Sequence, residues 1–302
     1  MKVRHLGKQK YEGLGKQNFK FVPTGYKTLD EGINDLMSKT VTVITGRPGE
    51  GKSTFVHSCM LNAIDKGYKV FLLDGEHSQE KLLHDLFKKV IGNEYRLYDN
   101  RRFNKKMLIE PKKHIQEMLN VWIKDLHICS KYENDLSNFD LIFDLLKLYI
   151  RTEKIDVIFL DNIMSLIDST QTEMNARQSK FMKNCTSLAK AANVPIVIVG
   201  HPNGTAVKGQ KIDYYQISGT SDIPNLADVV IQVVKDPLSE DGQKLADGRL
   251  YVLKGRHYSI EQGIDLVYDN DTSSLCEITG ESYEPTKYNW RKEGNQNVIT
   301  GD

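Results

Sequence analysis

The chain has 302 residues, and its 41 Lys and Arg almost balance its 40 Asp and Glu. This length suffices for one large α/β domain or two small ones around a substantial core. The balanced charge gives no general preference for a partner, and no apolar run approaches the about 18 residues of a membrane-spanning helix. The composition therefore predicts a globular protein without a membrane partner.

The cysteines Cys59, Cys129, Cys185 and Cys276 are scattered along the chain and form no C-x-x-C pair. This spacing argues against a structural zinc site and against a disulfide framework. We expect reduced, mostly buried thiols, as in a cytoplasmic protein.

Residues 1–20 form a basic N-terminal arm. The arm carries Lys2, Arg4, Lys8, Lys10, Lys16 and Lys20 against the single acid Glu12. Such an arm can contact nucleic acid or a neighbouring subunit, or it can be a solvated flexible terminus. It has neither the apolar segment nor the cleavage-site pattern of a secretory signal.

Hydrophobic periodicity predicts the following elements in chain order. Strands are expected at residues 40–45, 68–73, 126–129, 155–160, 194–200, 229–234, 250–254 and 264–268. Helices are expected at 53–65, 79–91, 114–124, 139–153 and 175–192, and a loop or irregular insertion at 93–113.

Strands that alternate with helices predict a mostly parallel sheet with helices on both faces. The late strands follow one another without helices, which predicts an antiparallel edge. Residues 21–279 are therefore predicted to form one α/β domain. Residues 280–302 are polar with few aliphatic side chains, which favours a mobile tail.

A phosphate-binding motif follows the first predicted strand. The pattern G-x-x-x-x-G-K-[ST] is met by Gly46-Arg47-Pro48-Gly49-Glu50-Gly51-Lys52-Ser53, and Thr54 continues into a predicted helix. Backbone N–H groups of such a loop and helix N-terminus converge on phosphate oxygens. Lys52 is expected to reach the β- and γ-phosphates, and Ser53 to ligate Mg²⁺. We expect the chain to bind ATP, or another NTP or dNTP, with Mg²⁺.

Three polar side chains at predicted strand ends are candidates for hydrolysis. Asp161 ends a buried strand and is expected to hold the Mg²⁺ shell. Glu76 follows the second strand and can orient the attacking water, with Asp74 as the alternative for that role. His201 ends the strand 194–200, where it can bond the γ-phosphate and report its loss.

The segment after His201, residues 202–217, is predicted to bind a single-stranded nucleic acid. It places Lys208 and Lys211 near Tyr214 and Tyr215 on a Gly-containing loop. Cations beside aromatic rings suit a nucleic-acid backbone and its bases. The predicted nucleic-acid-binding residues are Asn203, Gly204, Lys208 and Lys211, and the resemblance described below implies that the nucleic acid is DNA.

Two cations close a late strand, in Lys254-Gly255-Arg256, without a charge partner nearby in sequence. Such residues can be donated to a phosphate held by the next subunit. An arginine finger that acts in trans follows this logic.

Taken in order, these segments resemble the RecA-like motor domain of the ring-shaped replicative helicases of superfamily 4. The likeness is to the helicase half of phage primase–helicases and Twinkle, and more distantly to bacterial DnaB. It is carried by Thr24-Gly25, Leu29-Asp30, Gly51-Lys52-Ser53-Thr54-Phe55-Val56, Asp74-Gly75-Glu76, Phe159-Leu160-Asp161-Asn162, Val199-Gly200-His201, Ser218-Gly219, Leu226-Ala227-Asp228 and Leu253-Lys254-Gly255-Arg256.

This resemblance implies a RecA-like P-loop NTPase core that forms a ring, expected to be a hexamer, and unwinds DNA in the cytoplasm of a bacterium or a phage-infected cell. It implies that Glu76 is the catalytic base, Asp161 the Mg²⁺-linked acid and His201 the γ-phosphate sensor. Arg256 would act in trans with Lys254 as its companion. Tyr268 falls where the phage-type enzymes stack an aromatic ring on the nucleotide base.

Two departures from the family pattern concern the coupling of DNA to nucleotide. Relatives often carry an arginine before the Gly-Ser-Gly segment, where this chain has Ile217-Ser218-Gly219. Before Leu226 the chain has Ile223-Pro224-Asn225, where relatives usually carry a charge. The chain also has no segment that resembles a primase or a collar domain, so a separate primase or loader is expected as a partner, unless the chain is a fragment.

Two other functions remain open from the sequence. A RecA- or RadA-type ATPase has the same fold and remodels DNA without unwinding it. A nucleotide-gated clamp or loader that lacks turnover is the non-enzymatic alternative.

Overall fold

The computed structural model describes residues 18–92, 97–100, 105–108, 113–131, 134, 139–167, 173–239, 242–256, 263–280 and 282–290. The helices are α1 (Lys27–Ile33), α2 (Lys52–Asp65), α3 (Gln79–Ile91), α4 (Lys113–Trp122), α5 (Phe139–Thr152), α6 (Ile163–Leu166), α7 (Met174–Ala192) and α8 (Asp222–Leu226). The strands are β1 (Phe21–Val22), β2 (Leu36–Met37), β3 (Val41–Thr45), β4 (Val70–Asp74), β5 (Leu97–Asn100), β6 (Lys105–Leu108), β7 (Leu126–Ser130), β8 (Val157–Asp161), β9 (Ile196–Val199), β10 (Val229–Lys235), β11 (Gly248–Gly255), β12 (Ile264–Asp269), β13 (Ser274–Thr279) and β14 (Ser282–Tyr283).

One ten-stranded sheet organises these elements, in the order β14-β13-β12-β11-β10-β3-β9-β8-β4-β7. The six strands from β10 to β7 are parallel to one another. The side chains of β3, β4, β8 and β9 are buried along their whole length. Such continuous apolar runs indicate strands covered on both faces, so the predicted mostly parallel sheet is confirmed.

The two faces of the sheet carry separate apolar cores. The core on one face includes Phe55 of α2, Leu86 of α3 and Trp122 of α4. The core on the other face includes Leu146 of α5 and Phe181 of α7. Alternate residues of each central strand enter opposite cores because successive side chains of a strand point to opposite faces. The sheet is therefore fixed between two helical layers.

The antiparallel strands decide which late residues approach the phosphate-binding loop. In β11, Gly255 pairs with Val229 at the start of β10, and Gly248 pairs with Lys235 at its end. Strand β12 reverses again, with Leu266 opposite Gly248. The end of β12 therefore lies at the same edge as the end of β3, and the end of β11 lies at the opposite edge.

Two predicted irregular segments are more ordered than expected. Within residues 93–113, β5 and β6 form an antiparallel hairpin, with Leu97 opposite Leu108. The prediction of a loop is wrong for these residues, which pair through their backbones. Their basic sequence lacks the apolar alternation from which a strand is predicted. The rest of this segment, apart from residue 113, lies outside the described residues.

The predicted tail also packs against the domain where it is described. Strand β14 pairs with β13, Trp290 is buried, and the ring of Tyr288 lies 5.7 Å from that of Trp122. Two isolated aromatic residues in a polar segment give no periodic signal, so the sequence could not predict this packing. The N-terminal arm up to residue 17 and residues 291–302 lie outside the described residues.

Among the helices that the structure describes, none combines the length and the apolar character needed to cross a membrane.

Candidate functional site

The phosphate-binding loop connects the end of β3 to α2. Gly51, with φ of 92°, is the N-cap of α2, so the free N–H groups of the first helical turn are directed toward the loop. A Cβ atom at Gly46 would lie 2.4 Å from the carbonyl oxygen of Val233 on β10. Glycine is therefore required there, and the loop keeps the backbone donors that suit a polyphosphate.

Lys52 and Ser53 begin α2 and approach the end of β8. The Ser53 hydroxyl donates a hydrogen bond to Oδ2 of Asp161 at 3.0 Å. Burial lowers the pKa of Lys52, and the Asp161 carboxylate is the strongest of the charges that oppose this change. The structure thus brings together the three residues that the sequence assigned to phosphate and Mg²⁺.

The oxygens of Ser53 and Asp161 fit a Mg²⁺ ion. Burial, together with the nearby carboxylate of Asp74, raises the pKa of Asp161 to about 6. A cation beside Asp161 would offset this repulsion. Because Mg²⁺ commonly takes one or two protein oxygens and completes its shell with water and substrate phosphates, this pair suffices as the protein's share of the ligands.

The structure distinguishes Asp74 from Glu76. Asp74 is buried at the end of β4, and its Oδ1 accepts the N–H groups of Glu76 at 2.7 Å and His77 at 2.6 Å. Asp74 therefore holds the turn that follows β4. Glu76 is exposed, so the geometry favours Glu76 over Asp74 as the group that meets water.

Asn162 connects Glu76 to His201. Its side-chain Nδ2 donates to Oε1 of Glu76 and lies 3.3 Å from Nε2 of His201. Its Oδ1 accepts the N–H of Ser165 at 2.9 Å, as the N-cap of α6. Because the cap fixes the oxygen, the amide nitrogen must face the carboxylate and the imidazole.

A cleft of about 470 Å³ opens beside the phosphate-binding loop. Its lining includes Gly49, Gly51 and Thr54 from the loop and α2, and Tyr268 and Leu275 from β12 and β13. Tyr268 is 39% exposed, so part of its side chain is accessible from the cleft. The charged lining residues are Glu50, Lys235, Asp236, Lys244 and Asp247. A purine base has the size and stacking surface for such a cleft.

The segment 202–217 is anchored at its base next to His201. The N–H of Asn203 donates to the Gln216 carbonyl at 2.7 Å, and the Ser218 N–H donates to the His201 carbonyl at 2.8 Å. Gly204, Lys208 and Lys211 are exposed, and Asn203 is partly exposed. The four predicted DNA-binding residues are thus accessible on a loop that begins at the predicted sensor.

The predicted finger residues have no charge partner nearby in sequence, as noted above, but they have partners within their own chain that are distant in sequence. Lys254 Nζ donates to the Pro224 carbonyl at 2.7 Å, and Arg256 Nη2 donates to the Asn225 carbonyl at 2.8 Å. Arg256 also lies 3.4 Å from Asp228. The partners were invisible in the sequence because about thirty residues separate them and the tertiary fold brings them together.

The location of Arg256 is more informative than its partners. It follows the end of β11. There it lies near Val229 and Thr42, at the end of the sheet opposite the phosphate-binding loop. We expected β11 to be an outermost strand of the sheet, but it lies between β10 and β12. Five residues of β3 at about 3.3 Å each separate the two edges, so Arg256 cannot contact a phosphate on its own loop.

Sequence reasoning gave Asn162 no role. The dipeptide Asp161-Asn162 at a strand end was a usable signal, because Asn is a preferred helix N-cap and the strand ends of a parallel sheet meet at one edge. The side-chain contacts of Glu50 and Arg47 with the segment 202–217 were also missed, and no pattern in the sequence indicates them.

Known proteins are similar to this chain in sequence. The family model described as DnaB-like helicase C terminal domain matches residues 21–276. A probable plasmid replicative DNA helicase of Chlamydia muridarum (strain MoPn / Nigg) is 23% identical over 273 residues, which cover 89% of this chain and 55% of that protein. The chain thus spans about half the length of this curated relative.

Two solved structures have a similar fold. A DnaB-like replicative helicase, described with its interactions with primase, gives a TM-score of 0.69 at 14% identity over 88% of this chain and 64% of that one. A second structure, described as an ATPase domain, gives a TM-score of 0.67 at 13% identity, over 89% of this chain and 96% of that one. They confirm the predicted RecA-like fold class. With the match over residues 21–276, the chain belongs to the DnaB-like helicase C-terminal domain family.

Proposed function

We propose that this chain is the motor of a ring-forming replicative DNA helicase, which hydrolyses ATP or another nucleoside triphosphate, binds single-stranded DNA and unwinds the duplex. One observation carries the proposal. Lys52, Ser53, Asp161, Glu76 and His201 meet at one edge of the sheet, and a loop with exposed lysines leaves from that point.

The roles of the residues follow from their positions. Backbone N–H groups of the loop and the ammonium group of Lys52 bind the phosphates. Ser53 and Asp161 would hold Mg²⁺, which supplies charge neutralisation on the phosphate oxygens. Glu76 orients the attacking water and accepts its proton.

Asn162 and His201 complete this side of the site. Asn162 holds the Glu76 carboxylate in place, which limits the orientations available to the base. Burial lowers the pKa of His201, and the nearby charge of Lys52 lowers it further. At neutral pH a neutral imidazole is therefore expected, which can respond to the γ-phosphate through its hydrogen bond and transmit the change to residues 202–217.

A second subunit is part of this proposal. Arg256 and Lys254 cannot serve their own phosphate-binding loop, because they lie at the far edge of the sheet. We propose that they reach the nucleotide of a neighbouring subunit, as arginine fingers do in trans. A closed ring, such as a hexamer, gives every site such a neighbour.

DNA is proposed to contact Asn203, Gly204, Lys208 and Lys211. Lys211 Nζ lies 5.5 Å from the centre of the Tyr251 ring on β11, and the rings of Tyr214 and Tyr215 on the loop lie 4.1 Å apart. Cations and aromatic rings therefore share this surface, as single-stranded DNA requires. A separate primase or loader is a further proposed partner, since a solved relative is described with its interactions with primase.

A test must separate the helicase from a recombinase-like ATPase. The protein is mixed with a forked duplex that carries a fluorophore and a quencher, with ATP and Mg²⁺, and strand separation is followed. Electron microscopy with a non-hydrolysable nucleotide and single-stranded DNA accompanies this assay. Strand separation and closed rings support the proposal. Open filaments with DNA-stimulated hydrolysis but no strand separation would replace it with the RecA- or RadA-type function.

A further inference from the structure

The phosphate-binding loop is hydrogen-bonded directly to the proposed DNA loop, residues 202–217. Arg47 Nη1 donates to the carbonyl oxygen of Ala206 at 2.9 Å. The Glu50 carboxylate accepts the N–H of Arg47 through Oε2 at 2.6 Å, and the nearby N–H of Gly209 helps to lower its pKa. Ala206 is thus bonded directly to the phosphate-binding loop, and Gly209 of the same DNA loop lies beside the Glu50 carboxylate.

Glu50 is an unusual choice for its position in the motif. The pattern accepts any residue there, and a carboxylate near the phosphates would repel them. Glu50 is only 4% exposed, and a buried carboxylate is costly unless hydrogen bonds and charges compensate it. Burial raises the pKa of Glu50, while the two N–H donors and the charges of Lys52 and Arg47 oppose the change. Its side chain therefore serves the loop contact rather than the phosphates.

The backbone of the DNA loop is shaped for this contact. Gly209 has φ of 76°, a left-handed conformation that side chains disfavour, and a Cβ atom there would lie 3.0 Å from the Asp236 carbonyl oxygen. The Leu238 N–H donates to the Gly209 carbonyl at 3.1 Å. The Gly209 carbonyl is thus bonded to the next segment, and the left-handed backbone leaves the Gly209 N–H beside Glu50.

A neighbouring part of the same loop is attached to the sheet. Gln232 Oε1 accepts the N–H of Ile212 at 3.0 Å, and its Nε2 donates to the Gln210 carbonyl at 2.9 Å. Gln232 belongs to β10, where it pairs with Thr45 at the end of β3. The loop therefore has one attachment on a buried strand and another on the segment that a nucleotide contacts.

We propose that Glu50 is a positioning residue that couples nucleotide binding to single-stranded DNA binding by holding the DNA loop on the phosphate-binding loop. This inference rests on the proposed function. When phosphates order the loop at residues 46–51, Glu50 and Arg47 fix the DNA loop at Ala206 and Gly209. Lys208, which lies between these two residues in sequence, is then held in one position for contact with the DNA.

The coupling can be measured as a ratio of two affinities. The dissociation constant for fluorescent oligo-dT is determined by anisotropy, with and without a non-hydrolysable ATP analogue and Mg²⁺. We expect the analogue to change this constant by about 5- to 150-fold in the natural protein, the usual range for coupled sites. The analogue's affinity, measured with and without oligo-dT, must change by the same factor because linkage is reciprocal.

Three variants and a control test the role of Glu50. Glu50→Ala should bring the ratio close to 1, and Glu50→Gln, whose neutral oxygen still accepts hydrogen bonds, should leave an intermediate ratio. Arg47→Ala, which removes only the bond to Ala206, should lower the ratio in part. Glu117→Ala, at an exposed position of α4, should leave it unchanged.

The outcomes separate this inference from the proposed function. If the natural protein shows coupling and both Glu50→Ala and Arg47→Ala keep the full ratio, the inference is overturned and the helicase proposal stands. If the natural protein binds no oligo-dT, both are overturned. If Glu50→Ala does not fold, as judged by circular dichroism, Arg47→Ala decides the outcome, because the Arg47 residue is exposed.

Discussion

The side-chain amide of Asn162 donates to the Glu76 carboxylate, while its oxygen caps α6 through the Ser165 N–H at 2.9 Å. One residue thus joins the start of a helix to the proposed catalytic base. Glu76 follows β4 and Asn162 follows β8, and these strands are neighbours in the sheet. The contact therefore depends on the parallel pairing of the two strands.

Asn162→Asp should separate the two roles of this residue. An Asp oxygen can still cap α6, but it cannot donate to Glu76 and it adds a negative charge beside it. We expect kcat to fall at least about tenfold; because Asn162 is buried and a carboxylate there is costly, the melting temperature should also fall, and kcat is compared at a temperature where the variant is folded. Asn162→Ala should lower both, because loss of a cap costs about 0.5–2 kcal/mol. Equal kcat in Asn162→Asp and the natural protein would contradict this role.

Glu76→Gln tests the catalytic base. The amide cannot accept a proton from water, so turnover should fall by about 10²-fold or more. Nucleotide affinity should be retained, because Lys52 and the loop backbone are unchanged. Steady-state hydrolysis and binding of a fluorescent nucleotide provide the two measurements. Glu80→Gln, at an exposed position in the first turn of α3, is the matched control, and unchanged turnover in Glu76→Gln would move the role to Asp74.

Lys208→Ala combined with Lys211→Ala tests the path of the DNA. Each lost phosphate contact should reduce the dependence of log K on log salt by a slope of roughly 0.7. Hydrolysis in the absence of DNA should change little, since neither ammonium group contacts the residues around Asp161. Affinity for oligo-dT between 50 and 200 mM salt, roughly the range where such slopes are resolved, gives the readout. Lys124→Ala is the control at an exposed lysine, and a double variant with the natural slope would place the DNA elsewhere.

Arg256→Ala tests catalysis between subunits. If the guanidinium acts in trans, its loss should lower hydrolysis by about 10³- to 10⁵-fold, and specific activity of the natural protein should rise with its concentration. Mixing Arg256→Ala with Glu76→Gln should restore part of the activity, because some interfaces then pair an intact base with an intact finger. Arg256 also contacts Asn225 and Asp228, so the melting temperature of the variant must be compared. Absence of rescue between two folded variants would exclude the trans role.

Asp30 provides a pH-dependent test of stability away from the proposed catalytic residues. Burial raises the pKa of Asp30 to about 6 from an ordinary 3.8, although hydrogen bonds from Thr24 and Gly25 oppose the rise. The folded state therefore binds a proton more readily than the unfolded state, and this contribution to stability grows as pH falls from 7.5 to 5. Its size is about 1–2 kcal/mol over that interval.

Urea unfolding at pH 7.5 and pH 5 measures this contribution. Asp30→Asn should reduce the change in unfolding free energy between the two pH values by that amount. Asp144→Asn, at an exposed position of α5, should leave the change as it is in the natural protein. An Asp30→Asn variant with the natural pH dependence would show that Asp30 titrates normally.

The local sequence determined the central strands, the main helices and the phosphate-binding loop. Runs such as Val41–Thr45 are apolar throughout because both faces of the strand are covered, and the motif at Gly46 to Ser53 is contiguous in the chain. The strands, the helices and the motif depend on residues that are close together in the sequence. Periodicity and spacing therefore suffice to predict them. The edge at which Asp161, Glu76 and His201 meet also follows, since parallel strands end together.

Tertiary structure decided what depends on distant partners. Trp290 is buried, β5 pairs with β6, and Arg256 bonds Asn225, although none of these contacts leaves a periodic signal in the sequence. The same holds for Glu50, whose carboxylate lies beside the N–H of Gly209, 159 residues further along the chain. Reversal of β11 places Arg256 far from its own phosphate-binding loop, because strand direction and sheet order are fixed by packing between segments and not by the residues of one strand.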